Sequence, residues 1–429
     1  MKKKYRIILY TSIFLLCVVA SIILVVKKSN SVYEEESKPK VVKHKSMLSM
    51  NLEQTAGSGD YKTVTQSKWP TEGYKFNAEL SRCENGSTLS WDDTKKAVIV
   101  SGNLSDKCYV YFDIYQPTLA EYIKSQYTGT QGENNIYYHD SDLANGAGDN
   151  SYRYAGANPN NFVCFGTTES PCPTDNLYRI IGVFGENYHG VTGKQLVKLI
   201  KYDYMTTDEL GTDGDYSQTY KEWGMDSTYK GTYGDGERIG VYYWNYKATG
   251  SATNTWSTSL LNKTNLNTNF INNIGTTWAN KIATVTWKVG GNTWANIGTK
   301  TSSVAYTNEI TNPVTTNTTD NATTYSAKIG LMYVSDYGFA ASPDAWTLTM
   351  SSYNNTTATN NNWMYMGLYE WTISRTAGNS SIAFYVNGDG SVHSYDVRNG
   401  IGVRASFNLE SSVSYVSGSG SMSDPIVIN

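Results

Sequence analysis

The sequence predicts an α+β protein: an N-terminal transmembrane helix, a small disulfide-stapled β module, and a larger α+β domain rich in short antiparallel strands and loops. Three observations predict it. Residues 7–26 form an uncharged apolar run, four cysteines lie beyond that run, and the rest of the chain is rich in Tyr, Thr, Asn and Gly. With 35 Tyr, 11 Trp and 37 Gly among 429 residues, cores lean on aromatic side chains, long helical bundles are disfavoured, and short strands with many turns are favoured.

The apolar run, IILYTSIFLLCVVASIILVV, is 20 residues long. At about 1.5 Å of rise per residue it matches a hydrocarbon core of about 30 Å. Lys2, Lys3, Lys4 and Arg6 precede it, and Lys27 and Lys28 are soon followed by Glu34, Glu35 and Glu36. The positive-inside bias then predicts a cytoplasmic N-terminus and an extracellular remainder, so the expected location is the cell membrane, crossed once. A signal peptide cleaved after Ala20 is the competing reading, but the apolar run continues six residues beyond it. Cys17 follows Leu16 rather than the small residue a lipobox needs, and reads as a membrane-embedded thiol. Residues 1–45 hold ten basic and three acidic residues, leaving 25 basic against 35 acidic, a net charge of −10, for the rest. That sign argues against a nucleic-acid partner.

Residues 29–63 are polar, carry the charge run EEESKPKVVKHK, and are expected to form a flexible stalk. Residues 64–115 are the expected β module and 116–429 the larger domain. Cys83, Cys108, Cys164 and Cys172 are even in number and expected outside the membrane, so disulfides between nearest neighbours are expected, Cys83 with Cys108 and Cys164 with Cys172. Zinc is the rival reading, but no CxxC and no nearby His pair occurs.

Residues 118–128 place Leu119 and Ile123 at helical spacing and predict a short amphipathic connector. LYRIIGVF at 177–184 and QLVKLIKY at 195–202, separated by a Gly-rich turn, predict a hairpin and are the strongest strand signal in the chain. Leu260, Leu261, Leu266 and Phe270 predict helix within 256–274 despite its Asn and Thr load, and 306–324 reads as an exposed loop. IGLMYVSDYGFA, EWTISRTA, SIAFYVNGDGSV, GVRASFNL and DPIVIN read as short strand-like stretches with no fixed repeat.

The segments SRCENGSTLSW, DKCYVYFD, SYRYAGANPNNFVCFG, NLYRIIGVF, IGLMYVSDYGFA, EWTISR and GVRASFNL together resemble uncharacterised signal-anchored surface proteins of gut Gram-positive bacteria, a likeness covering nearly everything after Tyr61. That family has no established activity. Its C-terminal pattern of a Trp-containing strand, a Gly-punctuated hairpin and a closing VR(P/A) strand is similar to the C-type-lectin-like fold, in the branch that holds the formylglycine-generating enzymes. The resemblance therefore implies a C-type-lectin-like larger domain. Ala405 stands where relatives usually carry Pro. The oxidase chemistry of that branch needs a late pair of metal-binding cysteines, and no cysteine follows Cys172.

Other chemistry is sparsely signalled. His44, His139, His189 and His393 are isolated, and HExxH, GxSxG and GxxxxGK[ST] are absent. Asp344 or Glu370 with Asp389 would supply the two carboxylates of a glycosidase. Asp140, Asp142 and Asp149 in HDSDLANGAGD are candidate calcium ligands, although they match no EF-hand and serve equally as turn formers. Arg375 and Arg404 in strand-like segments either pair with a carboxylate, Asp336 or Asp396, or grip an anionic ligand. Trp346, Trp363 and Trp371 are either core or an aromatic platform for a sugar or peptide. The expected function is cell-surface recognition, lectin-like or adhesin-like binding of glycan or surface polymer without catalysis, because a Tyr-, Ser-, Gly-, Asn- and Trp-rich surface binds adaptably at low entropic cost. A cell-wall or glycan hydrolase and a structural envelope component are the alternatives.

Overall fold

The computed structural model describes residues 48–429 apart from 66–67, 71–72, 221–228, 235–237, 249–251, 293–296, 314–321 and 355–360. The chain divides into two compact units, Met1–Gln116 and Pro117–Asn429.

In the first unit, strand Leu48–Glu53 pairs antiparallel with Tyr61–Val64 and parallel with Cys108–Ile114, which in turn pairs antiparallel with Tyr74–Cys83. A separate hairpin joins Thr88–Asp92 to Ala97–Ser101. Met50, Leu52, Val98, Val110 and Phe112 form the core. The rings of Trp91, Trp69 and Phe76 pack on Phe112 at centroid distances of 5.6, 5.9 and 5.9 Å. Such a small core gains from covalent support, and the Cys83–Cys108 disulfide links residues directly opposite each other in adjacent strands.

The second unit carries two seven-stranded sheets. In one, the hairpin of Leu177–Phe184 and Leu196–Lys201 is central, flanked by Tyr152–Tyr154 and Phe162–Cys164 on one side and Ser406–Asn408 on the other. Both hairpin strands are buried at every position, which explains their near-continuous apolar sequence. Gly182 lies at a register shift where a Cβ would collide with Tyr152 O. In the other sheet, Glu370–Thr376, also buried throughout, pairs with Ile382–Val386, which continues into Val392–Asp396. Apolar side chains of both sheets merge into one core.

Helix Leu119–Ser125 forms where the spacing of Leu119 and Ile123 placed it, buries both, and starts with a capping box between Thr118 and Glu121. Leu261–Phe270 is a wide π-type helix running into Ile271–Ala279. Its Asn side chains act as cross-links: Asn265 Nδ2 donates to Leu210 O at 2.8 Å and Asn267 Nδ2 to Ile329 O at 3.0 Å. Cys164 and Cys172 form the second disulfide.

Three expectations are corrected. The α+β class with a C-type-lectin-like larger domain gives way to a mainly sheet protein, 34% strand against 20% helix. Among the described residues no helix is long and apolar enough to cross a membrane, and the run at 7–26 lies outside them. Two of the short helices end on glycine: Gly190, at φ 75°, ends Glu186–His189, and Gly211, at φ 72°, ends Thr207–Leu210. The expected stalk at 29–63 is not all stalk. Its first part, to residue 47, lies outside the described residues, but Leu48–Glu53 is a sheet strand because Met50 and Leu52 find a core to enter. In the stretch read as strand-like, IGLMYVSDYGFA, only Ile329–Gly330 is strand, while Val334–Ala340 is a helix started by Asp336 accepting from Tyr333 N at 3.0 Å.

Candidate functional site

A cleft of about 490 Å³ opens in the second unit where the loop before Phe162–Cys164, the face of the central hairpin and the 362–366 segment meet. Its floor is Arg179, from the Leu177–Phe184 strand. A cation in a strand buried on both faces has to be satisfied locally, and the 157–161 loop folds back to do so. Arg179 Nε donates to Asn161 Oδ1 at 2.7 Å, Nη2 to Pro159 O at 3.1 Å and Nη1 to Trp363 O at 3.4 Å. Asn161 is pinned in turn, its Nδ2 donating to Ile180 O at 2.8 Å.

The guanidinium lies between two rings, 4.3 Å from the Phe162 centroid and 4.6 Å from that of Trp363. No described carboxylate forms an ion pair with it. Burial pushes its pKa down to about 9, the positive charge of Arg404 adds to the effect, and Tyr202 opposes it.

On the far wall, Lys230 Nζ sits 4.5 Å above the Tyr365 ring, and burial holds this lysine below its ordinary pKa. Tyr365 is fixed by its hydroxyl donating to Gly388 O at 2.6 Å, and Trp363 by Nε1 donating to Tyr154 O at 2.8 Å. Asn158 and Asn160 are exposed at the mouth, and Met422 reaches it from the C-terminal segment. The arrangement therefore offers two cationic groups, fixed aromatic surfaces and free amides around one concavity, a set suited to an anionic, hydroxyl-rich ligand.

No family model, curated protein or solved structure matches the chain. Its site has to be read from its own geometry.

Of the tryptophans considered as a platform, only Trp363 lines the cleft. Trp346 and Trp371 are wholly buried, with Nε1 donating to Ala341 O and Tyr242 O at 2.9 Å each, and are core residues. Arg375 is buried away from the cleft, its Nε donating to Val289 O at 2.8 Å, and burial pushes its pKa down to about 10. Arg404 pairs with Glu370, Nε to Oε1 at 2.8 Å, and lies behind the cleft wall, donating from Nη2 to Met364 O at 2.6 Å. The partners anticipated for these arginines are taken: Asp336 pairs with Lys198 and Asp396 with Arg398. As ligand-gripping groups Arg375 and Arg404 are thus corrected to structural ones.

The carboxylates weighed for hydrolysis do not line the cleft. Glu370 is held by Arg404, and Asp389 closes a hairpin turn by accepting from Ser391 N at 3.0 Å and Asn387 Nδ2 at 2.9 Å. Two of the three calcium candidates, Asp140 and Asp149, are engaged in local structure, and Asp142 is exposed beside them. Asp140 Oδ1 accepts from Asp142 N and Leu143 N, both at 3.0 Å, in a turn, while Asp149 pairs with Arg153 Nη2 at 2.8 Å. Among the described residues no group of three or more His, Cys, Asp or Glu side chains is placed to hold a metal ion.

Arg179 and Lys230 escaped the sequence reading. Arg179 carried a usable signal, since a cation in the middle of LYRIIGVF interrupts the most apolar strand of the chain. Lys230 carried none, because Tyr365, the ring it lies against, is distant in sequence.

Proposed function

We propose that residues 117–429 form a recognition module of an extracytoplasmic surface protein, and that the Arg179 cleft takes an acidic glycan or a similar anionic surface polymer. One observation carries this reading: Arg179 is buried against Phe162 and Trp363 with hydrogen bonds to neutral acceptors and no described carboxylate partner. A ligand carboxylate or sulfate entering the cleft supplies the missing counter-charge and relieves the burial cost of the guanidinium. Trp363 and Tyr365 give the apolar face of a sugar ring a surface to lie on, and the exposed amides of Asn158 and Asn160 meet its hydroxyls. The two disulfides support an oxidising compartment.

The test is capture of the purified chain on a glycan and mucin array, once with calcium and once with chelator. Retention of sialylated, sulfated or uronate-bearing glycans in both conditions, lost in Arg179→Met, is the expected result. A blank array, or capture of neutral glycans that Arg179→Met leaves unchanged, would overturn the proposal.

A further inference from the structure

We propose that Lys198 and Asp336 condense to an intramolecular amide that ties the Leu196–Lys201 strand to the start of the Val334–Ala340 helix. Both side chains are fully buried, and Lys198 Nζ lies 2.7 Å from Asp336 Oδ2. The Tyr188 hydroxyl completes a ring around them, accepting from Lys198 Nζ at 2.6 Å and donating to Asp336 Oδ1 at 2.7 Å. Nucleophile, carboxyl carbon and a proton carrier are thereby held together before reaction, the condition under which an intramolecular condensation gains most.

The surroundings favour the uncharged product. The rings of Tyr333, Tyr188 and Trp287 enclose the ammonium at 4.4, 4.9 and 5.0 Å, and burial holds Lys198 below its ordinary pKa. A neutral amine is the nucleophilic form, and moving the ammonium proton to the carboxylate removes two buried charges at once. Arg153 Nη1 stands 3.7 Å from Asp336 Oδ1 and has no hydrogen-bond partner, while Tyr333 N, donating to Oδ2 at 3.0 Å, is placed to stabilise the charge that develops on Oδ2 as nitrogen attacks. Glu309 fixes the helix start that presents Asp336, accepting from Val334 N at 3.0 Å and Ser335 N at 2.9 Å. After condensation Arg153 remains paired with Asp149.

The step balances without any co-reactant. One ammonium proton passes to Asp336 Oδ1, and the amine nitrogen bonds to the carboxyl carbon. A second proton leaves nitrogen through the Tyr188 hydroxyl to the same Oδ1, and the C–Oδ1 bond breaks to release water. Oδ2, held by Tyr333 N at 3.0 Å, remains as the amide carbonyl.

Tryptic mapping of the reduced, alkylated full chain tests this. Trypsin does not cut at an acylated lysine, so the expected product is 195–201, uncut at Lys198, joined to 329–375 and lighter than the sum of the two peptides by one water. The product is expected to vanish in Lys198→Met and in Asp336→Ala. Recovery from the unaltered protein of 195–198, 199–201 and unlinked 329–375 would overturn the proposal, as would a linked product that persists in Lys198→Met. The unaltered chain alone decides the matter if either variant fails to fold.

Discussion

Arg404 and Glu370 form an ion pair in the interior of the second unit, Nε to Oε1 at 2.8 Å, with side chains 1% and 2% exposed. The strand residue that resembled a sugar-site carboxylate and the arginine that resembled an anion grip neutralise each other. Burial raises the pKa of Glu370, and the Arg404 guanidinium beside it opposes that rise without cancelling it. Removing one partner strands the other charge without solvent. Glu370→Ala is therefore expected to lower unfolding stability by about 3–5 kcal/mol, read as a shift of the denaturant midpoint. Unchanged stability would mean that the pair is not formed in the native protein.

Arg179 makes a contrasting case. Its charge has no described carboxylate partner, so Arg179→Met strands no opposite charge and is expected to cost less than Glu370→Ala, about 1–3 kcal/mol for the acceptors it leaves unpaired, while abolishing capture of acidic glycans. Lys230→Ala is expected to weaken capture less, because its ammonium stands further from the floor of the cleft. Capture by the unaltered protein should also fall with added salt. Equal capture at low and high salt would argue against an anionic ligand.

The two disulfides close loops of different length, with sequence separations of 25 for Cys83–Cys108 and 8 for Cys164–Cys172. Loop-closure entropy predicts a loss of about 3.5 kcal/mol for Cys83→Ala with Cys108→Ala and about 2.5 kcal/mol for the second pair. The first should act on residues 48–116, where the apolar core is small. Hydrogen exchange would locate each effect, and global destabilisation by both pairs would contradict this division.

Glu309 gives a pH dependence of definite sign. Burial raises its pKa to about 7, against the opposing hydrogen bonds of Ser335 and Ser374, and Asp336 adds to the rise. Unfolded, it titrates near 4.5, the ordinary value for a glutamate. Between these values the folded state binds more protons, so this group's contribution falls as pH rises from about 4.5 to about 7, by about 3 kcal/mol at most. His139 acts oppositely, because burial lowers its pKa and acid favours the unfolded form. The informative quantity is thus the stability of Glu309→Gln minus that of the unaltered protein, which should grow over this window and level off above it. A flat difference would show that Glu309 is ionised in the fold.

Much of the local structure was legible in the residues. The Leu119–Ser125 helix, the Leu177–Phe184 and Leu196–Lys201 hairpin, and both disulfides follow from signals a few residues to a few tens of residues apart. What escaped was long-range. The parallel pairing of Leu48–Glu53 with Cys108–Ile114 turned part of an expected stalk into sheet, and nothing in LSMNLE specifies a partner so distant. Trp363 and Trp371 read alike, yet one lines a cleft and the other fills the core.

By itself the sequence determined the Leu119–Ser125 helix, the Leu177–Phe184 and Leu196–Lys201 hairpin and the cysteine pairing, because periodicity, capping and loop closure act between near neighbours. Only the tertiary structure decided which charges meet: Arg404 with Glu370, Lys198 with Asp336, and Arg179 with no described carboxylate. Lys198 and Asp336 are 138 residues apart, and their juxtaposition arises from packing a strand against a helix start rather than from any local pattern. The physical reason is that burial makes the choice of partner decisive. A surface charge is satisfied by water wherever it falls, whereas a buried one takes its properties from the few groups that the fold brings within reach.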